Sequence, residues 1–185
     1  MISKNKKVQR TINAKSANGI PFTVEVATGK DYGGRQIEQW SAATEDGEYI
    51  DMASNSIGSF HSLSLGSLES PEAFAERLAT YPVLKGVELG IFGKLHLRGL
   101  YLECDISQED FDAMMENAQE AMRMGHEVHY NDEHGVGHFE QTGDGEYRAV
   151  HCRCGTARED PLDFDGIKEF LREFFRIGYS LHRDW

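Results

Sequence analysis

Short turn signals between alternating runs constrain the first third of the chain more than any other feature. Residues 7–15 alternate, with Val8, Ile12 and Ala14 on one side. Asn18-Gly19 follows, and then Phe22-Thr23-Val24-Glu25-Val26 alternates again. A period of two is the mark of a strand with two unlike faces, and a turn dipeptide between two such runs reads as a hairpin. Tyr32-Gly33-Gly34 makes the next break. Residues 36–43 carry Ile37 and Trp40, and Asp46-Gly47 turns the chain into residues 48–53 with Tyr49 and Ile50. Asp-Gly supplies the positive φ angles of a two-residue hairpin turn. Residues 1–54 are therefore expected to form an antiparallel meander. Lysines of the N-terminal segment at its edge would discourage pairing between molecules.

The pattern then changes. Residues 54–70 are rich in Ser and Gly and read as a loop or weak strand, a hinge between two halves. Ser70-Pro71-Glu72 opens a helix, since Ser caps free amides and Pro at the first position loses no needed bond. Phe74, Leu78 and Tyr81 mark its buried side and Pro82 ends it. Glycines 86, 90, 93 and 99 punctuate two strands over 87–92 and 94–103, with a bulge at Gly99 where the Leu95, Leu97, Leu100, Leu102 alternation slips. Ser107 caps a helix over 108–124, in which Phe111, Met114, Met115, Ala118 and Met122 repeat at helical spacing, and Gly125 stops it. A last amphipathic helix runs over 165–181 through Ile167, Phe170, Leu171, Phe174, Ile177 and Leu181. The expected fold class is α+β: an antiparallel meander, then a mixed α/β part with three main amphipathic helices packed on antiparallel sheet. The expected division is 1–66 and 67–185, unless the two parts form one continuous domain.

Composition excludes several classes. No apolar run approaches the roughly 20 residues that cross a bilayer, and the charged N-terminus lacks the apolar segment of a secretory signal. Three cysteines without framework spacing argue against a disulfide-stapled secreted domain, so the cytoplasm is the expected location. The net charge is −12. Residues 1–20 hold Lys4, Lys6, Lys7, Arg10 and Lys15 and no acid, a local +5, which leaves −17 for the rest. A body so acidic repels phosphates and favours cationic partners.

The stretch from Gly125 to Gly155 holds five of the eight histidines and two of the three cysteines. Cys152 and Cys154 sit two apart, so on a strand both thiols point one way, and tetrahedral zinc takes four such Cys or His ligands. His126, His129 and His138 are the candidate partners, with His134 beside them. Register decides the matter. If Asp144-Gly145 is a two-residue turn, His138 lies opposite His151 and away from the cysteines; a three-residue loop reverses the parity. The His126-Glu127-Val128-His129 string is not a zinc-protease motif, which needs histidines four apart on a helix. The Pro-Cys-x-x-Cys string of zinc deaminases is absent. Gly-x-Ser-x-Gly, the Walker loop and a dinucleotide fingerprint are absent too.

The helix over 108–124 carries Glu109, Asp112, Glu116 and Glu120 on the side away from its methionines, with Asp105 before it. Glu159, Asp160, Asp163 and Asp165 cluster ahead of the last helix. Such rows imitate a phosphate backbone and suit a basic groove. The expected function is that of an acidic, non-enzymatic binding or inhibitory protein. Its partner would be basic and itself able to bind nucleic acid, with no direct nucleic-acid or membrane binding by this chain. The alternative is a zinc-dependent enzyme, hydrolytic in type, or a zinc-stabilised binding module using His126, His129, His138, Cys152 and Cys154.

Overall fold

A computed structural model describes residues 1–56, 59–62, 69–90, 93–98, 106–132, 135–151 and 162–174. The elements run β1 (Lys4–Lys15), β2 (Pro21–Lys30), β3 (Gln36–Thr44), β4 (Tyr49–Ser56), β5 (Ser59–Ser62), α1 (Pro71–Leu78), β6 (Val87–Leu89), β7 (Leu95–Leu97), α2 (Gln108–Arg123), β8 (Val128–Asp132), β9 (Gly135–Gly143), β10 (Glu146–His151) and α3 (Phe164–Phe174). The fold class is α+β, with two sheets and three helices. Two compact units emerge, residues 1–83 with 89–93 and residues 84–88 with 94–185. Among the described residues no helix is long and apolar enough to cross a membrane.

The first unit is the expected meander, a five-stranded sheet in the order β1-β2-β3-β4-β5 with antiparallel neighbours. Alternation does what it should. Phe22, Val24, Val26, Trp40, Ala42 and Ala53 face one side and bury against Phe74, Ala75 and Leu78 of α1. Helix α1 starts as expected, with the Ala73 amide donating to the Ser70 hydroxyl at 3.1 Å and Pro71 leading its first turn. It ends at Leu78, four residues before Pro82, in a tight turn where the Tyr81 amide reaches the Leu78 carbonyl. Strand β1 lies at the sheet edge and is exposed over Lys4–Thr11. Asn5 adopts a left-handed φ of 56° at a bulge. The bulge and the lysines both spoil this edge as a template for another strand.

One charged group lies inside this apolar layer. Asp51 on β4 is 1% exposed, and Arg77 of α1 reaches it at 3.3 Å and Glu69 at 2.8 Å. Burial works against the Arg77 charge, but Glu69 and Asp51 outweigh it and leave the guanidinium firmly protonated. The Arg77 guanidinium also sits 5.2 Å from the Phe74 ring centre. Removing one member of such a set strands the opposite charge in low dielectric. Arg77→Met is therefore expected to lower unfolding free energy by about 3–5 kcal/mol, and adding Asp51→Asn should recover a large part of that loss. Urea denaturation of the single and double variants measures both; equal losses in the two would remove the stranded charge as the cause.

The second unit is built on a five-stranded sheet in the order β10-β9-β8-β7-β6. It is mixed, contrary to the expectation of an antiparallel sheet: β7 runs parallel to β8, and β8-β9-β10 is an antiparallel meander. Strands β6 and β7 are three residues each among the described residues, and residues 91–92 and 99–103 of the expected strands lie outside them. The slip expected at Gly99 lies outside the described residues. Leu95, Leu97, Val128, Tyr130, Phe139, Tyr147 and Ala149 are buried on one face. Helix α2 supplies Phe111, Met114, Met115, Ala118 and Met122, and α3 supplies Ile167 and Leu171. The Phe170 ring meets the Tyr130 and Phe139 rings edge-on at 6.1 and 6.4 Å. Gly137, opposite Tyr130, has no side chain because the phenol ring lies over it; a Cβ there would be 2.3 Å from the ring.

Candidate functional site

The face of the second sheet turned away from Tyr130 and Phe139 carries the chemistry. Helix α2 ends at Arg123 and is closed by Gly125, whose φ of +86° lets its amide reach the Met122 carbonyl while the His126 amide reaches the Ala121 carbonyl. This is a glycine stop of the Schellman kind. It delivers the chain into β8 with Val128 and Tyr130 inward and Glu127 and His129 on the other side. Cross-strand pairing then aligns three imidazoles. His96 on β7 pairs with His129 on β8, and His129 pairs with His138 on β9. Their ring centres are 5.1 Å apart for His96 and His129 and 5.0 Å for His129 and His138.

His129 is the middle member and is 3% exposed. Its Nε2 lies 3.2 Å from Glu127 Oε2, and the Lys94 ammonium is 3.2 Å from the same oxygen. Its Nδ1 is buried without a hydrogen-bond partner. Burial pushes the imidazole down to about 4; Glu127 pulls the other way, and Lys94, His138 and His96 add to the lowering. Burial also lowers His96 and His126. Burial opposes the Glu127 charge, yet Lys94 and His129 outweigh it and hold the carboxyl below its usual range. The central imidazole is thus neutral at pH 7, with its Nε2 proton directed at a carboxylate and its Nδ1 lone pair facing no donor. An open depression of about 470 Å³ adjoins Glu127, lined also by Arg123, His126, Glu140 and Gln141.

The structure brings together some of the expected metal ligands and separates others. His129 and His138 stack, whereas His126 sits in the loop that lines the depression. Cys152, Cys154 and His134 lie outside the described residues. The hairpin register combines both alternatives: Gly143 pairs with Glu146 across a two-residue turn, but a bulge between Glu146 and Tyr147 shifts the rest, so His138 faces Val150 and His151 faces Gly137. His96 is the residue that sequence reasoning missed. The Leu95-His96-Leu97 alternation places it opposite the leucines, but its alignment with His129 depends on a parallel pairing that no local signal announces. Among the described residues, no three His, Cys, Asp or Glu side chains converge, as they stand, on a point that would hold a metal ion.

The expected partner surface is also partly engaged. Glu109 and Glu116 are exposed on α2. Asp112 is met by Arg172 of α3 at 3.5 Å, and Glu120 lies 3.7 Å from Arg123. Asp163 caps α3, accepting from the Gly166 amide at 2.7 Å. Asp105, Glu159 and Asp160 lie outside the described residues. Asp165, of the same expected cluster, begins a stripe with Glu169 and Glu173, exposed at four-residue intervals along α3. Comparison with protein-family models, curated proteins and solved structures finds no match.

The buried imidazole has a measurable consequence. A histidine whose folded pKa lies below its unfolded value of 6.5 holds fewer protons when folded, so acid favours unfolding. Its contribution is intact above about pH 6.5, declines as pH falls towards 4, and changes no further below that. With the folded value about 4, the loss is about 3 kcal/mol. Lys94, His96 and His138 oppose protonation and Glu127 favours it. Chelator-treated protein should show this slope in urea denaturation between pH 7 and 4, and His129→Gln should remove the larger part of it.

Proposed function

We propose that this chain is a non-enzymatic binding protein that engages a basic partner through the acidic outer surface of α2 and α3, and that it inhibits that partner by occupying a groove otherwise used for nucleic-acid phosphates. The observation that carries the reading is where the charge resides. The second unit holds 21 acidic against 11 basic side chains, so it bears −10 of the net −12. The first unit, with ten acidic and eight basic, is close to neutral. On α2, Glu109, Glu116 and Glu120 are exposed, and steps of four residues are about 6 Å apart along a helix axis. On α3, Asp165, Glu169 and Glu173 repeat at that interval.

Like charges four apart weaken an isolated helix by a few tenths of a kcal/mol each. Both helices offset this through apolar faces, with Phe111, Met115, Ile167 and Leu171 fully buried. The Arg172–Asp112 pair ties the two helices together at 3.5 Å and holds both stripes on one layer of the unit. The missing catalytic motifs fit this reading, and the histidine row plays no part in it.

The test is displacement of a fluorescent DNA duplex from a cationic DNA-binding protein by the full chain, followed by anisotropy. Displacement should weaken by tenfold or more between roughly 0.05 and 0.3 M salt, because exposed charges are screened over that range. Glu109→Lys with Glu116→Lys and Glu120→Lys should abolish displacement at an unchanged melting temperature. A triple variant as effective as the parent chain would overturn the proposal, as would displacement indifferent to salt.

A further inference from the structure

The row of imidazoles on β7, β8 and β9 needs a different explanation. A buried nitrogen without a hydrogen-bond partner is destabilising. His129 Nδ1 is such a nitrogen, in a side chain 3% exposed. Its other nitrogen is 3.2 Å from the Glu127 carboxylate. A histidine that donates one ring N–H to a carboxylate and presents the other nitrogen bare has the arrangement of a metal ligand with its outer support in place. The carboxylate fixes the tautomer, and the lone pair is left for the ion.

The neighbours are of the right kind. His96 and His138 flank His129, one strand away on each side, with ring centres at 5.1 and 5.0 Å. Two imidazoles on one tetrahedral ion have ring centres roughly 5 Å apart, given metal–nitrogen bonds of about 2.1 Å. The outer two histidines stand on strands about 10 Å apart, twice the strand spacing. The middle one offers Nδ1, the nitrogen nearer the backbone, and the outer two have the longer reach of Nε2. An ion above the middle strand satisfies both reaches. The rings now stack and do not converge, so binding requires His96 and His138 to turn about their side-chain bonds. Both are only half-buried.

We propose that His96, His129 and His138 bind one divalent transition-metal ion of the class that prefers imidazole, zinc first, with Glu127 positioning His129 and a fourth place left for water or another ligand. Three neutral nitrogens select zinc, nickel or copper over magnesium or calcium, which take oxygen. Lys94 shares the Glu127 oxygen with His129. It thereby balances the carboxylate charge.

The experiment uses the full chain, stripped with chelator and titrated with zinc by calorimetry, then with cobalt, whose visible spectrum reports nitrogen ligands and tetrahedral geometry. One equivalent is expected, with tetrahedral cobalt bands. His96→Ala and His138→Ala, which remove half-buried side chains, should each weaken zinc at least tenfold. Glu127→Gln should weaken it by about 10–100-fold while leaving the cobalt bands tetrahedral, since it acts through His129. Circular dichroism of each metal-free variant separates lost binding from lost folding, and if His129→Ala fails to fold the other three variants still decide the matter. A parent chain that takes up no zinc overturns the proposal. So does binding that survives His96→Ala and His138→Ala but is lost in Cys152→Ser with Cys154→Ser.

Discussion

The pairing of β8 with its neighbours is the constraint on which the second unit depends. Tyr130 must face α2 and α3, because it meets Phe139 and Phe170 there, and Val128, two residues before it, shares that face. Once that is set, Glu127 and His129 have no choice but the other face. Parallel pairing with β7 places His96 beside His129, and antiparallel pairing with β9 places His138 on its other side. A slip of one residue in either ladder would turn His129 towards the helices and Tyr130 away from them. Gly137 guards the register from the apolar side, since only a glycine leaves room for the Tyr130 ring over the neighbouring strand. The alignment of the histidines thus follows from the strand register that the aromatics on the opposite face require.

How much of this was legible follows from the same physics. The first four strands and both capped helix starts could be read directly, since Asn18-Gly19, Asp46-Gly47, Ser70-Pro71 and Ser107 act over a few residues. The Gly125 stop was legible for the same reason. The parallel β7–β8 pairing was not, because Leu95-His96-Leu97 is only three residues long and its partner lies over 30 positions away. The bulge after Glu146 was not either. Asp144-Gly145 correctly suggested a two-residue turn, but a single extra residue beyond it reversed the parity of His138 relative to β10. Local chemistry announces turns; it says little about which strand will lie beside which.

Charge divides in a similar way. Several acids have structural employment that composition could not reveal. Asp51 and Glu69 hold Arg77, Asp112 meets Arg172, Glu127 orients His129, and Asp163 caps α3. The acids left on the surface of the second unit are fewer than the count suggests, but they are ordered into stripes on two helices. An excess of one sign spread evenly would serve solubility alone. Stripes at helical spacing create a more directed field than an even spread does, and the proposed partner surface rests on that difference.

His129 remains the least expected residue on either sheet. Leucine would fill the same space between two strands, gain the transfer free energy of an apolar side chain, and leave no nitrogen without a partner. The imidazole instead stays neutral, because burial and three nearby basic groups oppose its proton while one carboxylate alone favours it. Glu127 supplies orientation without supplying a proton, and the Lys94 ammonium keeps that carboxylate charged by holding its pKa down. A buried imidazole with one nitrogen against a carboxylate and the other without a partner gains little from packing alone. The proposed metal site rests on that arrangement: the carboxylate orients the ring, and the ion would satisfy the nitrogen that the fold leaves without a partner.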